Sequence, residues 1–321
     1  MKILHLSNTP LSNAPANLVK CQNLYGHDAT LLLFKKSSLQ RKHTAGQLWI
    51  DLPADEITRL VTEAEVIHCH NYLYEQQIFR SYPHLVEIVK NKPKLVQYHS
   101  SRHSVENFET TLKDDTVRKA VVAQYHVRLY PECEFVVPNV LPIFEEPYRP
   151  LESRRKLPFI TISYAPSNVN CKGWDDKGWS ETKPVLDRIE RSGAAVSQVM
   201  HGVPYEDCMT QKRLADIGID EIVTGSYHLS ALEYMAMGAI AIANPDNLTI
   251  EAMRRIVGDD GINSLPLVVA NKNNLEATLR SLLRNGKPFI IEQGQKSREW
   301  METFWNPRNH VKLFESIYEK L

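Results

Sequence analysis

The sequence predicts an α/β protein of two domains, each built on a parallel sheet with helices on both faces. Its 321 residues are more than one ordinary domain needs and suit two. Short runs rich in Val, Ile and Leu alternate with amphipathic stretches of helical length, as in parallel sheets covered on both faces. This alternation breaks off in the proline- and charge-rich segment 141–158 and then starts again.

The first half opens on a strand, KILHLS, and a helix that Gly26 ends. Its later apolar runs have strand length and are separated by stretches with helical periodicity. We expect strands at 2–7, 28–34, 65–71, 94–100 and 132–140, and helices at 14–27, 55–64 and 84–92.

The second half repeats the same order of elements. Glycine closes the helix SALEYMAMG, and Pro307 interrupts a helical tail that covers 295–321. We expect strands at 159–165, 195–202, 220–225, 239–244 and 265–270, and helices at 182–193, 230–238, 247–258 and 274–285. The predicted domains are 1–148 and 149–295, with a C-terminal helix in 296–321 that crosses back to the first domain.

Composition excludes several classes of protein. The 38 basic and 38 acidic side chains balance, so the overall charge does not favour nucleic acid. The five cysteines are scattered without a C-x-x-C pair, which predicts neither a disulfide framework nor a zinc ribbon. No apolar run reaches the roughly 18 to 20 residues that span a membrane, so a cytoplasmic protein without a transmembrane segment is expected.

Parallel sheets bind ligands where their strands end, and the first turns decide between classes of ligand. A dinucleotide-binding turn needs G-x-G-x-x-G after a strand, but the first strand is followed by NTPLSNAP, which has no glycine. A G-x-x-x-x-G-K-[ST] phosphate loop is also missing from the sequence. A hydride-transfer oxidoreductase is therefore disfavoured.

Two segments of the second half carry a specific resemblance. YAPSNVNCKGWDD (164–176) and ADIGIDEIVTGSYHLSALEYMAMGAIAIAN (215–244) resemble the nucleotide-sugar-binding half of retaining GT-B glycosyltransferases of the family-4-like group. VIHCHN (66–71), QYHSS (97–101) and VVPN (136–139) fit the other half more loosely. The resemblance implies two Rossmann-like domains that face an interdomain cleft, with the acceptor on the first domain and the donor on the second.

The resemblance also implies a donor site. Glu233 lies about one turn into a helix and would hold the ribose diol, while Lys172 would neutralise the diphosphate and Gly173 would let the backbone approach it. The loop before that helix offers backbone amides and the positive end of the helix dipole to the diphosphate. The other donor-site candidates are Ser167, Tyr227, His228, Leu229 and Ser230.

One departure from the family pattern concerns the donor sugar. The family often carries two glutamates eight positions apart, and the earlier position is Gly225 in this chain. A mechanism that uses both glutamates therefore does not transfer.

The first domain supplies the remaining candidates. His99 ends a strand, and the resemblance implies that it reaches the donor sugar near the reacting carbon. Ser12 and Asn13 offer polar groups to the donor phosphates or the acceptor beside a helix start. His68 and His70 share one face of a strand, but no third ligand accompanies them, so no metal site is expected.

The expected activity is metal-independent transfer of a hexosyl or pentosyl group, with retention, from a nucleoside diphosphate sugar of UDP or GDP type. No tightly bound cofactor is expected, and the acceptor stays open between a glycan, a lipid and modified DNA. A phage-type DNA glycosyltransferase, a nucleotide-sugar epimerase and a non-catalytic nucleotide-binding protein are the alternatives. A DNA groove would use Lys35, Lys36, Arg41, Lys42, Arg102, Arg118 and Lys119.

Overall fold

A computed structural model describes the chain as two compact units. Unit 1 combines 1–142 with 307–321, and unit 2 is 143–306. The acceptor and donor roles of the two domains stay predictions. The structure describes residues 1–35, 46–74, 78, 80–102, 108–167, 169–170 and 177–321.

Unit 1 holds a parallel sheet of seven strands in the order β3-β2-β1-β4-β5-β6-β7. The order reverses between β1 and β4, where Ser7 pairs with His70 at the carboxyl ends of both strands. The strands are β1 (Lys2–Ser7), β2 (Asp28–Leu33), β3 (Gly46–Leu48), β4 (Val66–His70), β5 (Lys94–Tyr98), β6 (Arg118–Val122) and β7 (Phe135–Val137).

Helices cover both faces of this sheet, because its strands bury apolar side chains on each side. Ile57 and Val61 of α2 belong to one apolar core, and Val311 and Phe314 of α12 belong to the other. The helices of unit 1 are α1 (Ala14–Leu24), α2 (Ala54–Glu63), α3 (Val86–Lys90), α4 (Phe108–Leu112) and α12 (Pro307–Tyr318).

Unit 2 holds five parallel strands in the order β12-β11-β10-β8-β9, which reverses between β8 and β10. Its strands are β8 (Thr161–Tyr164), β9 (Val196–Val199), β10 (Ile217–Ile219), β11 (Ile240–Ala243) and β12 (Val268–Val269). Its helices are α5 (Glu152–Arg155), α6 (Trp179–Arg191), α7 (Tyr205–Lys212), α8 (Leu229–Ala236), α9 (Asn247–Asn263), α10 (Leu275–Arg284) and α11 (Gly286–Phe304). No helix in the described part of the chain is long and apolar enough to cross a membrane.

Helix α8 packs unusually close to β10. A Cβ atom at Gly218 would lie 2.1 Å from the ring of Tyr234, so only glycine leaves room for this ring on the strand. The Tyr234 hydroxyl forms a hydrogen bond of 2.8 Å with Ser163 Oγ on β8. The helix is thereby fixed over the two strands at which the order reverses.

The structure corrects several sequence-based elements. The strand expected at 220–225 is wrong: β10 is Ile217–Ile219, and the next residues form a loop. Glu221 explains the loop, because its buried carboxylate accepts hydrogen bonds from the amides of Val223, Thr224 and Ser226. The elements β3, β6, α4, α5 and α7 were not predicted, because they are short and lack a clear hydrophobic period.

Candidate functional site

The candidate sites lie where the strand order reverses, since loops leave a parallel sheet in opposite directions there and open a crevice. In unit 2 this place is the carboxyl ends of β8 and β10, where Ile219 pairs with Tyr164. Asp220 follows β10 directly, and α8 begins nine residues later at Leu229. The polar side chains of this region come from α7, from α8, from the residue after β10 and from the segment before α6.

Glu233 is buried at this point and paired with a lysine. Lys212, the last residue of α7, donates a short hydrogen bond to the Glu233 carboxylate. The same ammonium donates to Ser230 Oγ at 2.7 Å. Both charged side chains are at least 95% buried, which is costly unless they are paired as they are here.

A second buried ion pair shares the same serine. Lys177 Nζ lies 2.8 Å from Asp220 Oδ1 and 3.3 Å from Ser230 Oγ. The backbone amide of His228 donates to the other oxygen of Asp220. Two ammonium groups and two carboxylates therefore surround the first turn of α8; we call Lys177, Lys212, Asp220 and Glu233 the charge cluster.

Asp220 and Lys212 stay ionised despite their burial. Burial works to raise the pKa of Asp220, but Lys177 and His228 outweigh it and hold that pKa well below its usual range. Burial works to lower the pKa of Lys212, and Glu233 outweighs it, so the pKa of Lys212 is raised. Buried charges of this kind favour a functional site, since ion pairs in a core add little stability of their own.

Gly225 takes a conformation that a glutamate could not adopt without strain. Its φ is +79°, and a Cβ atom there would lie 2.8 Å from Asp246 Oδ2. Asp246 also caps α9 by accepting from the amide of Thr249 at 2.9 Å. The backbone at residue 225 therefore suits glycine and not the glutamate of the family pattern, and the Asp246 carboxylate occupies the space beside it.

The structure brings some of the predicted donor residues together and separates others. Glu233 belongs to the charge cluster, and Ser230 contacts both of its lysines. Tyr227 and His228 precede the same helix and Leu229 begins it, and all three are buried. The His228 amide is already bonded to Asp220, so it does not offer itself to a diphosphate in this structure. Ser167 is exposed beyond β8. Lys172 and Gly173 lie outside the described residues.

Sequence reasoning missed Lys177, Lys212 and Asp220. A signal for Lys177 was present, because Lys177-Gly178 is a second Lys-Gly pair and stands a few residues before the helix predicted at 182–193. Gly178 has a φ of +78° and is the N-cap residue of α6, and a Cβ there would meet Ile222 at 2.9 Å. Lys212 gave no signal of its own, since a lysine at a helix end is usually solvated.

Unit 1 has a cavity at its own point of reversal, between β1 and β4. The cavity measures about 210 Å³, and its polar lining comes from three neighbouring strand ends: Ser7 and Asn8, His70 and Asn71, and Ser100. Polar groups that converge on a concave surface are typical of a binding site.

The backbone beside this cavity is strained. Leu11, Ser12 and Asn13 have φ values of +46°, +56° and +67°, and Asn71 has +67°. Residues with side chains rarely adopt this left-handed region, and strain of this kind concentrates at functional sites. Ser12 is exposed and Asn13 is buried before α1, so only part of this loop presents its side chains.

His99 follows β5 and is tied to Asn71. Its backbone amide donates to Asn71 Oδ1 at 2.6 Å, and Asn71 Nδ2 donates to Ser100 Oγ at 3.0 Å. Its ring Nε2 lies 3.0 Å from Nδ1 of His70, which lines the cavity. Burial lowers the pKa of His99 to about 3, so the ring is neutral at neutral pH.

His68 and His70 share one face of β4, as the alternation predicts, and His5 of β1 joins them. Among the described residues, these three are the one group of potential metal ligands, with ligand atoms within 4.8 Å of one another. Tetrahedral zinc, with Zn–N distances of about 2.0–2.1 Å, needs nitrogens roughly 3.4 Å apart. The rings of His68 and His70 also stack at 16°, so their lone pairs do not converge on one ion.

The described residues of the expected DNA groove are mostly neutralised. Arg102 pairs with Glu132, and Arg118 pairs with Glu134 at 2.5 Å. Lys119 is buried and donates to backbone carbonyl groups. Lys35 is exposed, and Lys36, Arg41 and Lys42 lie outside the described residues.

Comparisons with known proteins establish the fold. No protein-family model and no curated protein sequence matches this chain. Its structure is similar to sucrose-phosphate synthase from Thermosynechococcus elongatus, with a TM-score of 0.59 and 12% identity over 100% of this chain and 99% of that one. It is also similar to the catalytic domain of starch synthase IV from Arabidopsis thaliana, bound to ADP and acarbose. That comparison has a TM-score of 0.60 and 9% identity over 100% of this chain and 99% of the other.

A third similar structure is the lipopolysaccharide outer core galactosyltransferase WaaB, with a TM-score of 0.53 and 11% identity over 100% of both chains. These likenesses extend over the whole chain and agree with its two parallel-sheet units. The chain therefore has the GT-B fold, as the sequence predicted.

Proposed function

We propose that the protein is a glycosyltransferase that moves a sugar from a nucleoside diphosphate sugar to an acceptor hydroxyl. The observation that carries the proposal is the charge cluster, two ion pairs buried around the first turn of α8 at the strand reversal of a GT-B fold. The similar structures support it, since all three are named as synthases or transferases of sugars and one of them, the starch synthase, was solved with ADP.

Unit 2 is assigned to the donor. Glu233 accepts hydrogen bonds from the ribose hydroxyls in addition to the one that it accepts from Lys212. The diphosphate is bound by Lys172 and by the first-turn amides of α8, which have no acceptor within the helix. Donor binding that draws Lys177 or Lys212 towards the phosphates would release Ser230 from one of its two lysines.

Unit 1 is assigned to the acceptor, because its cavity is polar, neutral and lined from three strand ends. The acceptor oxygen bonds to the anomeric carbon as the bond from that carbon to the diphosphate breaks. The acceptor proton passes to the departing phosphate, and attack from the side of the leaving group retains the configuration. Lysine charges stabilise the diphosphate as it leaves, so no metal is needed.

The first test is thermal stability with UDP-, GDP-, ADP- and CMP-sugars. A donor at 100 times its dissociation constant contributes about 2.7 kcal/mol, which raises Tm by several degrees. Glu233→Gln removes the charge that holds the ribose, and we expect it to abolish the shift for the one preferred donor. Lys172→Ala should weaken the same shift.

The matched control is Asp216→Asn. Asp216 is also a buried carboxylate of unit 2 and pairs with Arg154 at 3.5 Å, but it precedes β10 instead of following it. This variant loses intrinsic stability and should keep the donor-induced shift. Equal loss of the shift in both variants, or no shift with any donor, would remove the assignment of this site.

Turnover then separates the chemical classes. Incubation with the preferred donor and glycan, lipid or hydroxymethylated DNA acceptors should give a product whose anomeric configuration matches the donor by NMR, with or without EDTA. An isomerised donor without any acceptor would instead identify an epimerase. Binding without turnover on any acceptor would identify a non-catalytic nucleotide-binding protein.

A further inference from the structure

Three histidines in unit 1 form a continuous chain of hydrogen bonds. His5 Nδ1 lies 3.1 Å from His70 Nε2, and His70 Nδ1 lies 3.0 Å from His99 Nε2. His5 and His70 are fully buried, and His99 is the partly buried end beyond β5. We call His5, His70 and His99 the imidazole chain.

The rings meet edge to edge, as an N–H···N hydrogen bond requires, because the imidazole N–H and lone pair both lie in the plane of the ring. The centroids of His5 and His70 are 5.3 Å apart at an interplanar angle of 20°, close to the N···N distance plus the two ring radii. His70 and His99 are 5.2 Å apart at 43°. His68 instead stacks beside His70 with 4.5 Å between centroids and lies outside the chain. Each contact of the chain is thus one N–H···N hydrogen bond.

Neutral imidazole has one donor and one acceptor nitrogen, so each ring transmits the direction of its hydrogen bond to the next. Burial lowers the pKa values of His5 and His99 to about 3 and that of His70 well below its usual value. The three rings are therefore neutral at neutral pH. Whatever group binds the buried end of the chain decides which nitrogen of His99 carries the proton.

Gln22 of α1 binds that buried end. Its Oε1 accepts from His5 Nε2 at 2.7 Å, and its Nε2 donates to the Tyr318 hydroxyl at 2.9 Å. The Tyr318 hydroxyl also forms a hydrogen bond of 2.8 Å with His68 Nδ1, which holds the hydroxyl in place. Because the amide oxygen faces His5, the His5 proton is on Nε2, and His5 Nδ1 accepts from His70.

We propose that Gln22, His5 and His70 are positioning residues that fix the proton of His99 on Nε2 and leave its Nδ1 as a hydrogen-bond acceptor. The direction runs from His99 to His70, from His70 to His5, and from His5 to Gln22. Helix α12 takes part through Tyr318, which holds the Gln22 amide in the required orientation.

The consequence for chemistry rests on the proposed function. An Nδ1 lone pair on His99 accepts a hydrogen bond from a sugar hydroxyl, whereas an Nδ1–H would have to donate one. The imidazole chain would therefore select a hydroxyl donor at His99 and keep the ring from presenting a positive charge. Free histidine exchanges between two tautomers. The imidazole chain contributes by excluding the tautomer of His99 that carries its proton on Nδ1.

The test is NMR of the full protein with ¹⁵N-labelled histidine in the absence of substrate. Two-bond correlations between ring nitrogens and carbon-bound protons identify the protonated nitrogen, and His99→Gln assigns the His99 signals. We expect a single tautomer for His99 with Nε2 protonated, and the same tautomer for His5 and His70.

Gln22→Leu removes the acceptor at the buried end, and we expect the ring nitrogen shifts of His99 to move towards an average of two tautomers. Its matched control is Gln124→Leu, which deletes another buried amide hydrogen bond of unit 1, from Asn139 Nδ2 to Gln124 Oε1 at 3.1 Å. The control should leave the His99 shifts unchanged. Tyr318→Phe is a milder change at the buried end of the imidazole chain. It should move the His99 ring nitrogen shifts in the same direction as Gln22→Leu, but by a smaller amount.

Three results would overturn the proposal. These are a proton on His99 Nδ1, a His99 ring unaffected by Gln22→Leu in a folded protein, and stoichiometric zinc in the tag-free protein. If transfer activity is found, Gln22→Leu should lower kcat about tenfold, the value of one hydrogen bond, with an unchanged KM for the donor. A protein without transferase activity leaves the NMR result standing, so failure of the proposed function is distinguishable from failure of this inference.

Discussion

The two units place opposite chemistry at the same point of the same topology. At the reversal of unit 1, three imidazoles and an amide are neutral and share protons. At the reversal of unit 2, two lysines form buried ion pairs with two carboxylates. Both sets lie beside neighbouring strand ends from which the connecting loops leave the sheet in opposite directions.

The difference shows that the sheet supplies a place and the side chains decide its charge. Burial without an opposite charge drives histidine to its neutral form, whereas a lysine beside a carboxylate keeps its charge. A neutral set suits recognition of hydroxyl groups, and a charged set suits a phosphate. Changes of pH and of single charges should therefore affect the two units differently.

The largest expected effect is selective acid unfolding of unit 1. Burial lowers the pKa of His5 to about 3 and those of His68 and His70 well below 6.5. Above about pH 6.5 these rings are neutral whether the chain is folded or not, and stability is complete. Below it the unfolded chain binds protons that the folded chain excludes, which costs about 1.4 kcal/mol per pH unit for each histidine until the folded pKa is reached.

Unit 2 should resist the same change of pH. The pKa of Asp220 is lowered from 3.8, so its contribution is present above that value and is lost only at lower pH. Thermal melts from pH 7.5 to 4.5 with peptide-resolved hydroxyl-radical footprinting would follow each unit. Loss of protection in both units at the same pH would contradict the contrast between them.

The next largest effect concerns one charge of unit 2. Lys212→Met leaves Glu233 buried without its ion pair and should cost about 3–5 kcal/mol. The double variant Lys212→Met/Glu233→Leu removes both charges and should recover most of this loss in chemical denaturation. It should still fail to bind the donor, which separates the structural role of the pair from its role in binding. If the double variant is as unstable as the single one, the loss of stability comes from altered packing and not from the unpaired charge of Glu233.

A smaller effect is expected from Tyr318→Phe in unit 1. The change deletes the hydroxyl between Gln22 and His68 and leaves two buried groups short of a partner, at a cost of about 1–3 kcal/mol. Because the groups are neutral, added salt should not change the loss measured by urea denaturation. A loss that salt abolishes would indicate charge in this region and would weaken the comparison.

The smallest effect is expected at the surface. Arg118→Ala breaks the exposed pair with Glu134 and should cost less than about 1 kcal/mol. Since that arginine is already paired, we also expect no change in retention of duplex DNA at low salt. A clear loss of DNA retention would favour the DNA-modifying alternative.

The sequence by itself determined the two-domain α/β architecture and most of its elements. Apolar runs such as KILHLS and AIAIAN are long enough and uniform enough to identify buried parallel strands. The same patterns placed Glu233 on a helix and His68 and His70 on one face, because both depend only on local periodicity. Short elements such as β3 and α4 lack that periodicity and were missed.

The tertiary structure alone decided which groups meet. Lys212 reaches Glu233 across 21 residues, His5 reaches His70 across 65, and Gln22 reaches Tyr318 across 296. No local pattern encodes these contacts, because crossover connections bring distant strand ends to one edge of a sheet. Burial then sets the charge of each group, and burial is a property of the packed chain and not of the residue.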